Sequence, residues 1–206
     1  EIEFNVEYRS KTNGHSAPAL SDKYRMLDAD SVALQHAYIF ANSNPLGSKH
    51  LLDRSADSSE YSRVHQRYHP AIRHYLETFG YYDIFLVDPD SGDILYSVFK
   101  ELDYTTSLID GPYAGTNFAR AFQMANSASD ADYVGLVDLE PYFPSYEYPA
   151  GFVASPIFDG STKVGVLIMQ IPVEQIDAIM TSRQQWQEIG LGESGETYIV
   201  GKDFAM

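Results

Sequence analysis

Tyr82-Asp83-Ile84-Phe85-Leu86-Val87, then Asp88-Pro89-Asp90-Ser91-Gly92-Asp93, then Ile94-Leu95-Tyr96-Ser97-Val98-Phe99-Lys100: this stretch decides the fold. Its two ends are rich in β-branched and aromatic residues, and the segment between them is made of turn formers. Together they predict an antiparallel β-hairpin. On its second strand, alternation puts Ile94, Tyr96, Val98 and Lys100 on one face, with Leu95, Ser97 and Phe99 on the other. Downstream, Gly111-Pro112 lies in a loop that leads to a short helix, Asn117 to Ala125. Further strands follow over Tyr133 to Leu139, Gly151 to Ile157 and Lys163 to Ile171, with Asp159-Gly160 turning between the last two. Pro172 opens a helix over Val173 to Trp186, and a glycine-rich link then feeds a last strand, Glu196 to Val200.

Upstream of the hairpin the pattern is helical. Tyr24, Leu27, Val32, Leu34, Ala37 and Tyr38 recur at roughly helical spacing. The turn residues Asn42 to Gly47 break that helix. A second helix is predicted from about Ser58 to His69, with Asp57 or Ser58 as its N-cap, and a third from Pro70 to Phe79, ending at Gly80. Antiparallel strands in succession, with helices grouped beside them, indicate an α+β fold and not a doubly wound parallel sheet.

The 206 residues are enough for one large domain or two small ones. The chain is acidic, with 14 Lys plus Arg against 29 Asp plus Glu and a net charge of -15. Such a surface repels phosphate backbones and anionic lipid head groups, so nucleic acid is not an expected partner. Cysteine is absent, which excludes disulfides, thiolate metal sites and cysteine nucleophiles. No apolar run approaches the roughly 18–20 residues that cross a bilayer. The chain begins at Glu1 and stops soon after a strand-like run, so it reads as a piece of a longer protein, and the lack of a membrane segment in it does not argue against a membrane-bound parent.

Four stretches resemble the double Cache sensor domains, tandem PAS-like modules, of bacterial chemoreceptors, sensor kinases and cyclases. They are ALQHAYIFANSNPLGSKHLLD (33–53), YHPAIRHYLETFGYYDIFLVD (68–88), GDILYSVFKELDYTTSLIDGPYAGTNFARAF (92–122) and GLGESGETYIVG (190–201). The resemblance implies a long N-terminal helix bracing a five-stranded antiparallel sheet. Residues 1–44 would form a helical dimerisation stalk and 45–172 a membrane-distal module with the ligand pocket. Residues 173–206 would supply a connecting helix and the start of a membrane-proximal module. It also implies a periplasmic, extracytoplasmic sensor in a membrane-anchored parent. That sensor would be homodimeric through its N-terminal helices and would use no cofactor. It would act by binding a small molecule and changing conformation, not by catalysis. The alternative is a domain of the same shape that binds no small molecule and serves as a dimerisation or protein-docking element.

In the resembled fold the second hairpin strand and the loop after it wall the pocket. Tyr96, Ser97, Lys100, Glu101, Asp103 and Tyr104 cluster there, and a lysine beside carboxylates and phenols can hold a polar ligand through charge-assisted hydrogen bonds. The plain structural reading is a solvated strand end with a Lys–Glu pair. Tyr113 follows Gly111-Pro112 at the mouth of the short helix, whose first N–H groups attract anions. Otherwise it belongs to a capping loop. Asp138 lies in the third strand, and Tyr142 and Tyr146 in an aromatic, proline-rich loop that either lids a pocket or packs the domain edge. The candidate ligand-binding set is therefore Tyr96, Ser97, Lys100, Asp103, Tyr113, Asp138 and Tyr142. Lys100→Ala and Tyr96→Ala are expected to weaken a ligand without unfolding the domain. Amino-acid-binding members of the resembled family carry Arg-x-Trp-Tyr after the second strand and an Asp late in the last one. Here no Arg or Trp follows Lys100 and Gln170 stands near the Asp position, which leaves the ligand class open.

Other motifs dissolve in context. His65 and His69 are four residues apart with His74 nearby, but the protease glutamate is missing and a structural role is expected, with no metal assigned. Gly190 to Gly195 matches G-x-G-x-x-G, yet a helix precedes it and a strand follows, the reverse of a dinucleotide site. Asp88, Asp90 and Asp93 lack the twelve-residue calcium-loop spacing. No G-x-S-x-G elbow occurs, and no catalytic residue is assigned.

Overall fold

The computed structural model describes residues 2–17, 27–183, 185, 188, 190, 197, 198 and 200. Its centre is a five-stranded antiparallel sheet in the order β2-β1-β5-β4-β3. The strands are β1 (Asp83–Val87), β2 (Ile94–Ser97), β3 (Gly135–Tyr142), β4 (Tyr148–Asp159) and β5 (Thr162–Gln170). The helices are α1 (Ile2–Lys11), α2 (Ala29–Gln35), α3 (Glu60–Phe79), α4 (Asn117–Ser127) and α5 (Val173–Met180). This is the α+β class and the five-stranded antiparallel sheet that the resemblance implies. The helix Val173 to Trp186 is helical through Met180 and then turns, and the strand expected over Glu196 to Val200 lies largely outside the described residues.

The long helix against the sheet is α3, and the two helices expected on either side of Pro70 are one. Proline removes an N–H that would donate to the carbonyl four residues back. That carbonyl belongs to Gln66, an exposed residue, so the lost donor is on the side of the helix that faces solvent. The buried side runs unbroken through Ser62, His65, His69 and Leu76, and this shared face keeps the halves in line. The N-cap is Ser59, not Asp57 or Ser58, because its hydroxyl accepts from the Ser62 N–H at 3.1 Å. Asp57 sits two residues back and accepts from the Ser59 N–H. Gly80 ends the helix at φ 71°, a left-handed C-cap.

The hairpin forms as expected, but a bulge changes its faces. Leu86 pairs with Tyr96 and Val87 with Ile94, so Leu95 has no partner in the register. Ile94 therefore joins the core under α4, while Tyr96 joins Leu76, Ile84 and Val98 under α3. Alternation alone had put Ile94 and Tyr96 on one face. In the turn, the Asp88 carboxylate is occupied by the N–H groups of Asp90 and Ser91, the local capping that makes this aspartate-rich segment a turn. The sheet thus carries α3 on one face and α4 on the other. On the α4 side Phe118 lies 4.6 Å, centroid to centroid, from both Phe85 and Phe152. Val87, Ile168, Ala154 and Phe122 close the layer.

Gly111 stabilises the loop before α4 by its lack of a side chain. A Cβ there would lie 2.3 Å from the Ser107 carbonyl oxygen, a backbone contact that cannot rotate away. Gly111→Ala should lower unfolding free energy by about 2 kcal/mol, within the usual span for a backbone clash. Urea unfolding checks this, and an unchanged midpoint would count against the packing described.

Candidate functional site

The sheet separates the sequence-derived candidates. At the end of the α4-side face, Asp83 pairs with Gln170 and Gln170 with Phe152, so Asp83 and Gln170 share that face. The loops 98–116 and 143–147 close over them. Asp83 is fully buried and accepts four hydrogen bonds: from the N–H groups of Ile84 (2.7 Å), Val98 (2.9 Å) and Phe99 (3.2 Å), and from the Ser97 hydroxyl (2.7 Å). Ser97 in turn accepts from the Lys100 N–H. Asp103 accepts from the Tyr142 hydroxyl at 2.7 Å. Glu101 accepts from Tyr82 (2.9 Å) and Ser145 (3.4 Å), and Ser145 accepts from the Gln170 amide at 3.1 Å. Tyr113 lies tilted against Tyr142, 6.0 Å between centroids. Ser97, Asp103, Tyr113 and Tyr142 are thus brought together, joined by Asp83, Glu101 and Gln170.

Tyr96 and the Lys100 ammonium lie on the α3 side. Lys100 is 2% exposed, and its ammonium donates to the Ser97 carbonyl. Three rings surround it, with centroids at 4.4 Å (Tyr96), 5.3 Å (Tyr104) and 5.7 Å (Tyr38). Among the described residues it makes no ion pair, so the Lys–Glu pair at a solvated strand end is replaced by a buried aromatic cage. Burial drives the Lys100 amine down and the Asp83 carboxyl up, and each opposes the other's shift by its own charge. Tyr96 donates to His69 Nδ1 at 2.6 Å. His69 Nε2 faces the His50 carbonyl at 2.7 Å, so Nε2 carries the proton and the ring is neutral. His65 stacks on His69 at 4.2 Å. Burial, followed by the Lys100 charge, holds His65 at about 3 and His69 at about 4. The two serve the packing of α3, while His74 is exposed. Full burial also corrects the expectation for Lys100→Ala and Tyr96→Ala, since truncating such side chains leaves cavities and costs stability directly.

Asp138 stands apart, exposed on β3, with its carboxylate accepting from the Leu139 N–H. The start of α4 is closed by its own cap, Thr116 accepting from Ala119. Strain marks the two loops that bracket the α4-side cluster. Lys100 (φ 59°), Thr105 (66°), Tyr146 (59°) and Glu147 (63°) all hold left-handed backbone without being glycine. Each costs roughly 1–2 kcal/mol and persists only where the surroundings impose it. Tyr146 is further pinned by α1, where Phe4 stacks on it at 5.2 Å and Tyr8 donates to Glu147. A cavity of about 20 Å³, room for one water, lies between Phe4, Lys100, Glu101 and Tyr146. A larger, mostly apolar groove of about 600 Å³ runs along the α3 side past Leu34, Tyr61, Val64, Tyr68 and Tyr96.

Sequence reasoning passes over Asp83, names Glu101 in the cluster after β2 but leaves it out of the candidate set, and notes Gln170 only as standing near the position of an Asp in the resembled family. Asp83 is a charge at the head of an apolar strand, and Gln170 a polar residue closing another. Both were visible signals, but only the β1–β5 register unites them.

No protein-family model matches the chain, and no curated protein matches it in sequence. Among solved structures, the chain is similar to sensor domains of chemoreceptors and histidine kinases. One is the ligand-binding domain of the Campylobacter jejuni chemoreceptor Tlp3 in complex with 4-methylisoleucine: 13% identity, 87% of this chain and 60% of that one, TM-score 0.43. Another is the sensor domain of the V. cholerae histidine kinase DctB: 16% identity, 89% and 60% of the two chains, TM-score 0.42. A third is the ligand-binding domain of the Pseudomonas aeruginosa amino acid chemoreceptor PctC in complex with GABA: 15% identity, 78% and 60%, TM-score 0.39. The chain spans about 60% of the length of these domains. Among the described residues no helix is long and apolar enough to cross a membrane.

Proposed function

We propose that this chain is the extracytoplasmic ligand-sensing domain of a membrane-anchored receptor, and that its ligand site is the α4-side cluster. One observation carries the reading: Asp103 Oδ1 and Gln170 Oε1, both deeply buried at the end of the sheet, have no hydrogen-bond partner. An orphaned buried polar group costs about 1–3 kcal/mol, which the packed chain bears singly at His50, His65 and Asn117 and has little reason to bear twice at one end of the sheet. A site that meets its partner only when a ligand arrives does. The strained loops 98–116 and 143–147 are the parts that would move. Output has a short path. Gln170 ends β5, and Pro172, two residues on, is the N-cap of α5, so a shift at Gln170 reaches α5 through the chain itself. The homodimer and the second module belong to the same proposal.

A thermal-shift screen against small carboxylates, amino acids, amines, purines and sugars tests it. A ligand of the folded state adds about 2.7 kcal/mol at a hundredfold excess over Kd, and the midpoint rises. We expect one chemical class to shift the midpoint reproducibly. No shift from any class would sink the sensor reading. It would favour a docking role, for which the open apolar groove beside exposed Val64 and Tyr68 is the one supporting feature.

A further inference from the structure

The α4-side cluster is unbalanced in a way that narrows what it accepts. Asp83, Glu101 and Asp103 bring three carboxyl groups within electrostatic reach of one another. The buried cation beside them, Lys100, is turned away toward the Ser97 carbonyl and the tyrosine rings under α3. The neighbouring donors are already engaged: Tyr142 with Asp103, Tyr82 and Ser145 with Glu101, and the Gln170 amide with Ser145. What is left over is acceptors, Asp103 Oδ1 and Gln170 Oε1, on side chains no more than 2% exposed. A carboxylate or phosphate entering here would add negative charge beside Asp83 and find the Tyr142, Tyr82, Ser145 and Gln170 donors engaged, leaving it only the proton that burial keeps on Asp103 up to about pH 7. An ammonium group brings what is missing, several N–H donors and the positive charge that lets Asp103 release its proton and accept through Oδ1.

Building on the sensor reading above, we propose that the ligand is a small organic amine without a carboxylate, its ammonium held by Asp103 Oδ1 and Gln170 Oε1 and its charge balanced by the ionised Asp103. The orphaned atoms lie beneath the loop that α1 pins, and the cavity beside Glu101 holds no more than a water. Entry therefore displaces Tyr146 and Glu147 from their left-handed conformation and loosens their contacts with Phe4 and Tyr8.

Isothermal titration of the whole chain with 1,4-diaminobutane, succinate, alanine, glucose and calcium chloride decides the matter. The same titrations are run on Asp103→Asn and Gln170→Leu, with circular dichroism confirming the fold. The expected result is heat from the diamine alone, with affinity at least tenfold weaker in each variant. Should Asp103→Asn fail to fold, Gln170→Leu carries the test. Binding of succinate, alanine or glucose without the diamine overturns the amine assignment and leaves the sensor reading intact. Calcium binding that the variants abolish overturns it in favour of an inorganic cation. Diamine affinity unchanged in both folded variants overturns the placement. Silence from every probe here and in the thermal screen removes both readings together.

Discussion

Asp83→Ala should lower the unfolding free energy by about 3–5 kcal/mol, the largest single-residue effect expected outside the aromatic core. The carboxylate is fully buried and accepts four hydrogen bonds, one from the Ile84 N–H on β1, one from the Ser97 hydroxyl, and two from the Val98 and Phe99 N–H groups where β2 gives way to its loop. Removing it orphans the Phe99 N–H and the Ser97 hydroxyl, and leaves the buried Lys100 ammonium without its counter-charge. Val98 suffers less, since its N–H also donates to the Ile84 carbonyl at 3.2 Å. Asp83→Asn is the informative control. An amide oxygen can keep the three backbone bonds, so its cost should be a minor part of the alanine value and should report the lost charge. Urea midpoints for the two variants check this. Equal losses would mean that charge, and not the hydrogen-bonded frame, holds the strand end.

Asp103→Asn should gain stability relative to the parent as pH rises. Burial lifts the Asp103 carboxyl to about 7, with Asp83 pushing it up and the Tyr142 hydroxyl and nearby backbone N–H groups pulling it down. An unfolded aspartate titrates near 3.9. Between about 4 and 7 the folded chain holds a proton that the unfolded chain has released, so stability from this group falls with rising pH. Some three pKa units at about 1.4 kcal/mol each amount to roughly 4 kcal/mol. His65 and His69 act in the opposite sense. Their folded values of about 3 and about 4 lie below the unfolded value, so their contribution is lost as pH falls below about 6.5. The histidine slope is common to both proteins and cancels in the difference. Urea unfolding of the pair from pH 4.5 to 7.5 should therefore diverge toward higher pH. Curves that stay parallel would show that Asp103 titrates normally, and that the cluster is wetter than its burial suggests.

Much of the architecture was legible in residue patterns. The hairpin, the later strands, the Gly80 helix stop and the α+β class follow from alternation, turn chemistry and caps, which act over a few residues. Where the reading failed, a longer-range force won. Pro70 did not break α3, because one buried face spans the proline and the freed Gln66 carbonyl lies toward water. The faces of β2 were misassigned, because the bulge at Leu95 is a property of strand pairing and not of β2 alone.

The site shows the same division. Sequence by itself determined that polar and aromatic residues gather between Tyr96 and Tyr113, and that the chain is acidic, cysteine-free and built around an antiparallel sheet. Only the tertiary structure decided which of them meet. The sheet is a wall between Tyr96 and Lys100 on the α3 side and Ser97, Asp103, Tyr113 and Tyr142 on the other, and it leaves Asp138 in solvent. The β1–β5 register sets Asp83 against Gln170, residues 87 positions apart in the chain. The physical reason is range. Propensity and alternation read neighbours along the chain, whereas burial, charge balance and orphaned acceptors belong to contacts that exist only once distant strands have paired.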